Sequence, residues 1–151
     1  MNILGRMEKL GLSLPEPPSP AGSYIPAVIT GNLLFLSGIL PVRDGNLTIR
    51  GRVGMDVTVE EAVAASRQVV LNALAVIERE RGLESISRCI RLNGYVASAN
   101  DFYEQPLVIN GASDLLYEIF GERGRHTRTA IGVPVLPLNS PVEIDFIFEL
   151  E

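Results

Sequence analysis

The sequence predicts an α+β fold of two layers, with two main helices packed on one face of a mostly antiparallel sheet. Three observations predict it. Short apolar runs bounded by turn residues fill both ends of the chain, two longer segments repeat with helical period, and the order runs strands, helix, strand, helix, strands. There is no internal repeat and no glycine-rich phosphate loop. A chain of 151 residues with 46% hydrophobic and 21% charged residues suits one core. At this length about a third of the unfolded chain's surface stays exposed after folding, so self-association is a natural way to bury more.

The opening residues Ile3, Met7 and Leu10 share a stripe, with Arg6, Glu8 and Lys9 outside it, which predicts a short amphipathic helix ending at Gly11. The proline-rich stretch 14–22 follows. Its prolines remove backbone donors and favour extended conformations, so residues 1–21 are expected to be a short helix plus surface arm or linker, and 22–151 the main domain.

Runs 25–29 and 33–37, separated by Thr30-Gly31-Asn32, predict a strand pair with a tight turn. A second turn is expected at Arg43-Asp44-Gly45-Asn46, then a brief third strand over 47–51. Thr58-Val59-Glu60-Glu61 is a capping box and starts a helix. Its stripe of Val59, Val63, Val70, Leu74 and Ile77, with small Ala62, Ser66 and Ala73 between, runs to Gly82. Residues 86–98 alternate as a strand with Ile90, Leu92, Gly94 and Val96 on one side, which puts Cys89 on the opposite side. Asn100-Asp101 begins a turn or helix, Pro106 interrupts it or starts a new first turn, and residues 107–120 continue as helix with Val108, Ala112, Leu115, Leu116, Ile119 and Phe120 inward.

Two last runs, 127–135 and 142–150, flank Leu136-Pro137 and read as a hairpin. In the second, Val142, Ile144, Phe146, Phe148 and Leu150 form the core side, and Glu143, Asp145, Ile147 and Glu149 the other. In the first, Thr129, Ile131, Val133 and Val135 are the apolar side, opposite Arg128, Ala130, Gly132 and Pro134. If both apolar sides meet one core, Arg128 and Glu143 share the outer face, and a turn centred on Leu136-Pro137 sets Glu143 opposite Ala130, a diagonal of about 7 Å from Arg128. There the pair forms either a common cross-strand ion pair or an anion anchor beside a proton-transferring carboxylate.

Charge and composition narrow the chemistry. Thirteen Lys and Arg against 18 Asp and Glu give a net charge of −5, the wrong sign for a polyphosphate partner, so no nucleic acid is expected. One cysteine and one histidine exclude an internal disulfide and a His/Cys zinc cluster. No apolar run reaches the roughly 20 residues of a membrane helix, and the charged N-terminal segment is unlike a secretory signal; a cytoplasmic protein is expected.

Arg128-Thr129-Ala130-Ile131-Gly132-Val133, then Leu136-Pro137 and Val142-Glu143-Ile144, resembles the C-terminal signature of the RidA/YjgF family. Gly22-Ser23-Tyr24-Ile25-Pro26-Ala27-Val28 is similar to the family's tyrosine-bearing entry segment. Leu34-Phe35-Leu36-Ser37-Gly38 is similar to its serine-glycine strand end. The resemblance, over about residues 22–150, implies a chorismate-mutase-like fold and a homotrimer with clefts between subunits. It also implies hydrolytic deamination of reactive 2-imino acids and enamines to 2-keto acids and ammonia, without a cofactor. In that scheme Arg128 holds the substrate carboxylate, Glu143 activates water, Tyr24 and Asn110 line the cleft, and the main chain at Gly38 and Ala130 supplies hydrogen bonds. Arg125 is a further candidate anion ligand, and His126 reads as a loop residue. Ile39 stands where many members have glutamine, and Ala130 where many have cysteine or another polar residue. The alternatives are a trimeric protein that binds carboxylate ligands without turnover and, more weakly, an endoribonuclease.

Overall fold

Helices cover one face of a five-stranded sheet and leave the other bare. The computed structural model describes residues 2–20 and 22–151; the expected arm boundary at Ala21, like Met1, lies outside the described residues. The elements are α1 (Ile3–Lys9), β1 (Ala27–Thr30), β2 (Leu33–Leu36), β3 (Val42–Arg43), β4 (Asn46–Leu47), α2 (Val59–Glu80), β5 (Ile86–Ala97), α3 (Gln105–Phe120), β6 (Thr127–Val133) and β7 (Val142–Leu150). The main sheet has the order β1-β2-β7-β5-β6, and β3 and β4 form a small ribbon. Every pairing in the main sheet is antiparallel except β5 with β6, which is parallel.

Local signals account for most element ends. Thr58 Oγ1 accepts from the Glu61 N–H at 3.1 Å while Glu61 Oε1 accepts from the Thr58 N–H at 3.0 Å, closing the capping box that starts α2. Asp44 and Gly45 both take positive φ, 51° and 82°, as the tight turn between β3 and β4 requires. The predicted third strand over 47–51 shortens to β4, two residues long.

The core lies between the sheet and α2 and α3, and it includes Ile3 and Met7 of α1. Phe146, Phe148, Leu74, Ile77, Leu92 and Leu115 are fully buried, each worth about 1.5–3 kcal/mol relative to exposure. The helices approach closely because Gly111 lacks a Cβ, which would stand 2.5 Å from the Val63 carbonyl oxygen. One buried polar side chain fixes the chain after β2: Asn72 donates to the Leu40 and Val42 carbonyls at 3.0 and 2.9 Å.

Three expectations are corrected. Cys89 lies on the core side and not opposite it, because a bulge between Cys89 and Arg91 inserts Ile90 into the ladder and reverses the alternation before it. Burial there pushes its thiol pKa up to about 12, which leaves it inert at neutral pH. The C-terminal hairpin does not form, because β5 lies between β6 and β7. The β5-α3-β6 segment is a crossover unit, and a strand returning after a helix pairs parallel with the strand that preceded it.

The side of β6 that meets the core is also the reverse of that expected. Arg128 pairs with Leu92, which pairs with Phe146, so Arg128 and Ala130 face the helices. Ile131 pairs with Tyr95, which pairs with Glu143, and this row faces the bare side, where Ile131 is 45% exposed. The stripe of Thr129, Ile131 and Val133 is apolar, but it belongs to the uncovered face.

Candidate active site

The register separates Arg128 and Glu143. Two strand spacings across the sheet and three residues along it set their Cα atoms about 14 Å apart, and their side chains leave opposite faces. The expected placement of Glu143 opposite Ala130 is thereby overturned: its cross-strand partner is Tyr95, while Ala130 pairs with Gly94. A single chain therefore presents two separate candidate half-sites.

The first half-site is built on the bare face around Glu143. Its carboxylate lies over Gly38, where any Cβ would collide with it, so the Ser37-Gly38 strand end is what gives the acid room. Ser37 holds that end in place, its hydroxyl donating to the Ile25 carbonyl at 2.6 Å and its N–H to the Pro26 carbonyl at 3.0 Å. Partial burial, and secondarily the carboxylate of Asp145, push the pKa of Glu143 up. Asp145 is itself fixed by Asn93, whose amide donates to it at 2.8 Å, and Arg91 ties Asn93 to Thr129 with bonds of 3.1 and 2.6 Å. The Tyr95 phenol, opposite Glu143, is pushed up by burial and by Asp145 and Glu143. Tyr24 and Gly38 line an adjoining cavity of about 580 Å³ with Ile39, Pro17 and Pro20. Ile39 itself is buried, exchanging backbone hydrogen bonds with Ile144 at 2.9 and 3.1 Å.

The second half-site lies at the β6 edge against α3. Arg128 donates from Nη1 to Ser113 Oγ at 3.0 Å and from Nη2 to the Pro106 carbonyl at 3.2 Å. A guanidinium has five N–H donors, and these two bonds are the ones its head group donates among the described residues. Asn110 sits on the same α3 face, one turn after Pro106 and three residues before Ser113. The Val133 carbonyl accepts from Ser98 N at 2.9 Å, toward β5. By the alternation of a strand, Arg128, Ala130 and Gly132 then direct their N–H and C=O groups off the sheet edge. Main-chain groups at Ala130 thus lie at the same edge as the Arg128 guanidinium.

Tyr24 and Gly38 thus fall with the first half and Asn110 and Ala130 with the second. Arg125, the other candidate anion ligand, belongs to neither. It pairs with Glu122 at 3.0 Å and stacks 4.8 Å above the Tyr117 ring. Sequence reasoning passed over Tyr95, Asp145 and Ser113 and read His126 as a loop residue. Asp145 was legible in part, since it shares a strand side with Glu143; the other three come to the site only through the strand register and the packing of α3.

Comparison with known proteins bears on the same arrangement. The chain matches the family described as "YjgF/chorismate_mutase-like, putative endoribonuclease" over residues 5–150. It is 39% identical over 150 residues to protein TCP17 of Trypanosoma cruzi, which covers 98% of this chain and 94% of that one. It is 30% identical over 145 residues to the 2-iminobutanoate/2-iminopropanoate deaminase of Dermatophagoides farinae, covering 93% and 95%. A Shewanella oneidensis MR-1 crystal structure, described as that of a "putative endoribonuclease", superposes with a TM-score of 0.95 at 40% identity, covering 99% of this chain and all of that one. Matched along nearly its whole length in sequence and in structure, the chain belongs to the YjgF family and has its chorismate-mutase-like fold.

Proposed function

We propose that the protein hydrolyses reactive 2-imino acids and their enamine tautomers to 2-keto acids and ammonia, in clefts between the subunits of a homotrimer. The observation that carries this reading is the separation of the two residues: the Arg128 guanidinium fixed at one sheet edge and the Glu143 carboxylate, its pKa pushed up, on the other face stand too far apart to serve one small substrate within a chain, and a subunit boundary would bring them together. The bare face also carries Val28, Phe35 and Ile131, 52, 40 and 45% exposed, apolar surface that a subunit contact would cover.

In this mechanism Arg128 of one subunit takes the substrate carboxylate with two of its free N–H groups, while Glu143 of the next faces the imine carbon. Glu143 accepts a proton from water as the oxygen bonds to that carbon. It passes that proton to nitrogen, giving a carbinolamine. The carbinolamine hydroxyl then loses its proton to Glu143, which hands it to the departing nitrogen as the carbon–nitrogen bond breaks. Both water protons leave on ammonia, and the water oxygen stays in the keto acid. A raised proton affinity suits a group that must both take and give a proton near neutral pH. No cofactor enters the scheme. Tyr24, Asn110 and the main chain at Gly38 and Ala130 line the cleft.

The test is keto-acid release from freshly generated 2-aminoacrylate. A rate above buffer is expected, and Arg128→Ala should weaken binding of pyruvate, a 2-keto acid product, by roughly 10- to 100-fold, the worth of a charge-assisted pair. Release no faster than in buffer would overturn the reaction. Sedimentation at micromolar concentration should give three times the chain mass of 16.4 kDa.

One observation favours a second reading, a carboxylate-binding protein without turnover. The residue after Gly38 is Ile39, buried in the sheet, and so supplies no polar side chain to the cleft. Pyruvate binding without keto-acid release would select it. An endoribonuclease, named in the family description, fits less well with a net charge of −5.

A further inference from the structure

Arg128 is held by more than a single contact. His126 Nδ1 lies 2.7 Å from the Gly124 carbonyl, and its Nε2 lies 2.9 Å from Ser113 Oγ. Ser113 Oγ in turn lies 3.0 Å from Arg128 Nη1. A carbonyl only accepts, so Nδ1 carries the ring proton and Nε2 is left as an acceptor. The Ser113 hydroxyl must then donate to Nε2, which turns an oxygen lone pair toward the guanidinium. The direction of every bond in the row is determined from its fixed end.

That end is a built feature. Gly124 is buried against α3, where a Cβ would collide with the Leu116 carbonyl, so only glycine lets this carbonyl reach its place beside the ring. Burial and the nearby Arg128 charge, against the pull of the Gly124 carbonyl, lower the pKa of His126 and favour the neutral ring that the relay needs. Arg125, beside it in sequence, is neutralised by Glu122. Without an acceptor at Nε2, a helical serine turns its hydroxyl back to the carbonyl four residues earlier, here Ile109, and its oxygen leaves the guanidinium.

We infer that Ser113 and His126 are positioning residues, a relay from the Gly124 carbonyl that fixes the Arg128 guanidinium as a preformed carboxylate anchor. The inference rests on the reading of Arg128 as the anion ligand. Its effect falls on binding and not on proton transfer, since Ser113 and His126 act only through the guanidinium that Ser113 holds. Ser113, at the end of the relay, and the Pro106 carbonyl keep two guanidinium donors occupied on the α3 side, so the others are directed to a ligand carboxylate that can meet them as a pair.

The experiment uses the full untagged chain, pyruvate as the probe, and the ring nitrogens of the single histidine as the reporter. The ¹⁵N spectrum of the wild type should show the neutral ring protonated at Nδ1, with the Nε2 resonance moving as pyruvate saturates. Ser113→Ala should weaken pyruvate binding and raise KM roughly 10-fold with kcat nearly unchanged, as expected for loss of a bond to a charged group. Ser113→Thr, which keeps the hydroxyl, should restore most of that affinity. A ring protonated at Nε2, or an Nε2 resonance indifferent to saturating pyruvate, overturns the relay even if the variants fail to fold. So does a folded Ser113→Ala protein that binds pyruvate like the wild type. If Arg128→Ala also keeps full affinity, the functional reading itself has failed; if only the Ser113 variant does, the relay alone has.

Discussion

The two half-sites are built on opposite electrostatic plans. Around Glu143 the neighbours are like-charged or polar: Asp145 on the same strand, Tyr95 across from it, and Asn93 fixing Asp145. Around Arg128 they are neutral acceptors, Ser113 and the Pro106 carbonyl, each with a set direction. The first plan changes how tightly a proton is held and does little to constrain geometry. The second fixes the place of the charge. A carboxylate that exchanges protons needs the former, and a cation that binds a carboxylate needs the latter.

In the proposed hydrolysis, breaking the Glu143 half should have the largest effect. Glu143→Gln keeps the shape and removes the base, so kcat for keto-acid release should fall by roughly 10²–10⁴ with pyruvate affinity changed little. Equal losses in kcat and in pyruvate affinity would show that the two halves do not divide the work in this way. Gly38→Ala comes next. Its methyl would occupy the space of the Glu143 carboxylate, and kcat should drop by about 10² as the acid is displaced. A Gly38→Ala enzyme with wild-type kcat would mean that the carboxylate acts from elsewhere.

A smaller change sharpens the comparison. Glu143 must be ionised to act as a base, so activity is lost as pH falls through its raised pKa. Asp145→Asn removes one cause of that rise and leaves burial in place. The acid limb of the kcat profile should therefore move to lower pH, with the plateau little altered. An unmoved limb would leave burial as the sole cause.

The smallest effect lies on the Arg128 side. The folded-state pKa of His126 is depressed, so the neutral ring's contribution to stability is complete above the unfolded value of about 6.5 and is lost as pH falls from there through the folded value. Melting temperature should decline over that window in the wild type and less steeply in His126→Gln. Parallel curves would remove the ring from the pH dependence.

Much of this is legible in the sequence. The capping box at Thr58 and Glu61, the turn at Asp44-Gly45, the inward stripe of α3 and the alternation of β7 each depend on residues within a turn or a strand of one another. The choice of Arg128 and Glu143 rests instead on the resemblance to the family's C-terminal signature, since the hairpin pairing that would set them on one face does not form. What could not be read was which strand lies beside which. Ser113 and His126, 13 residues apart, meet only because α3 packs against the β6 edge.

The limit shows most clearly in β6. Alternation determined that Thr129, Ile131 and Val133 share a side; it could not say which side faces the helices, because an apolar stripe also suits a face covered by another subunit. The crossover through α3 decided that question by making β6 the parallel neighbour of β5, with Arg128 in register with Leu92. Parity within a strand is a property of the chain. The face a strand presents is set by its neighbours, and with it the separation of Arg128 from Glu143.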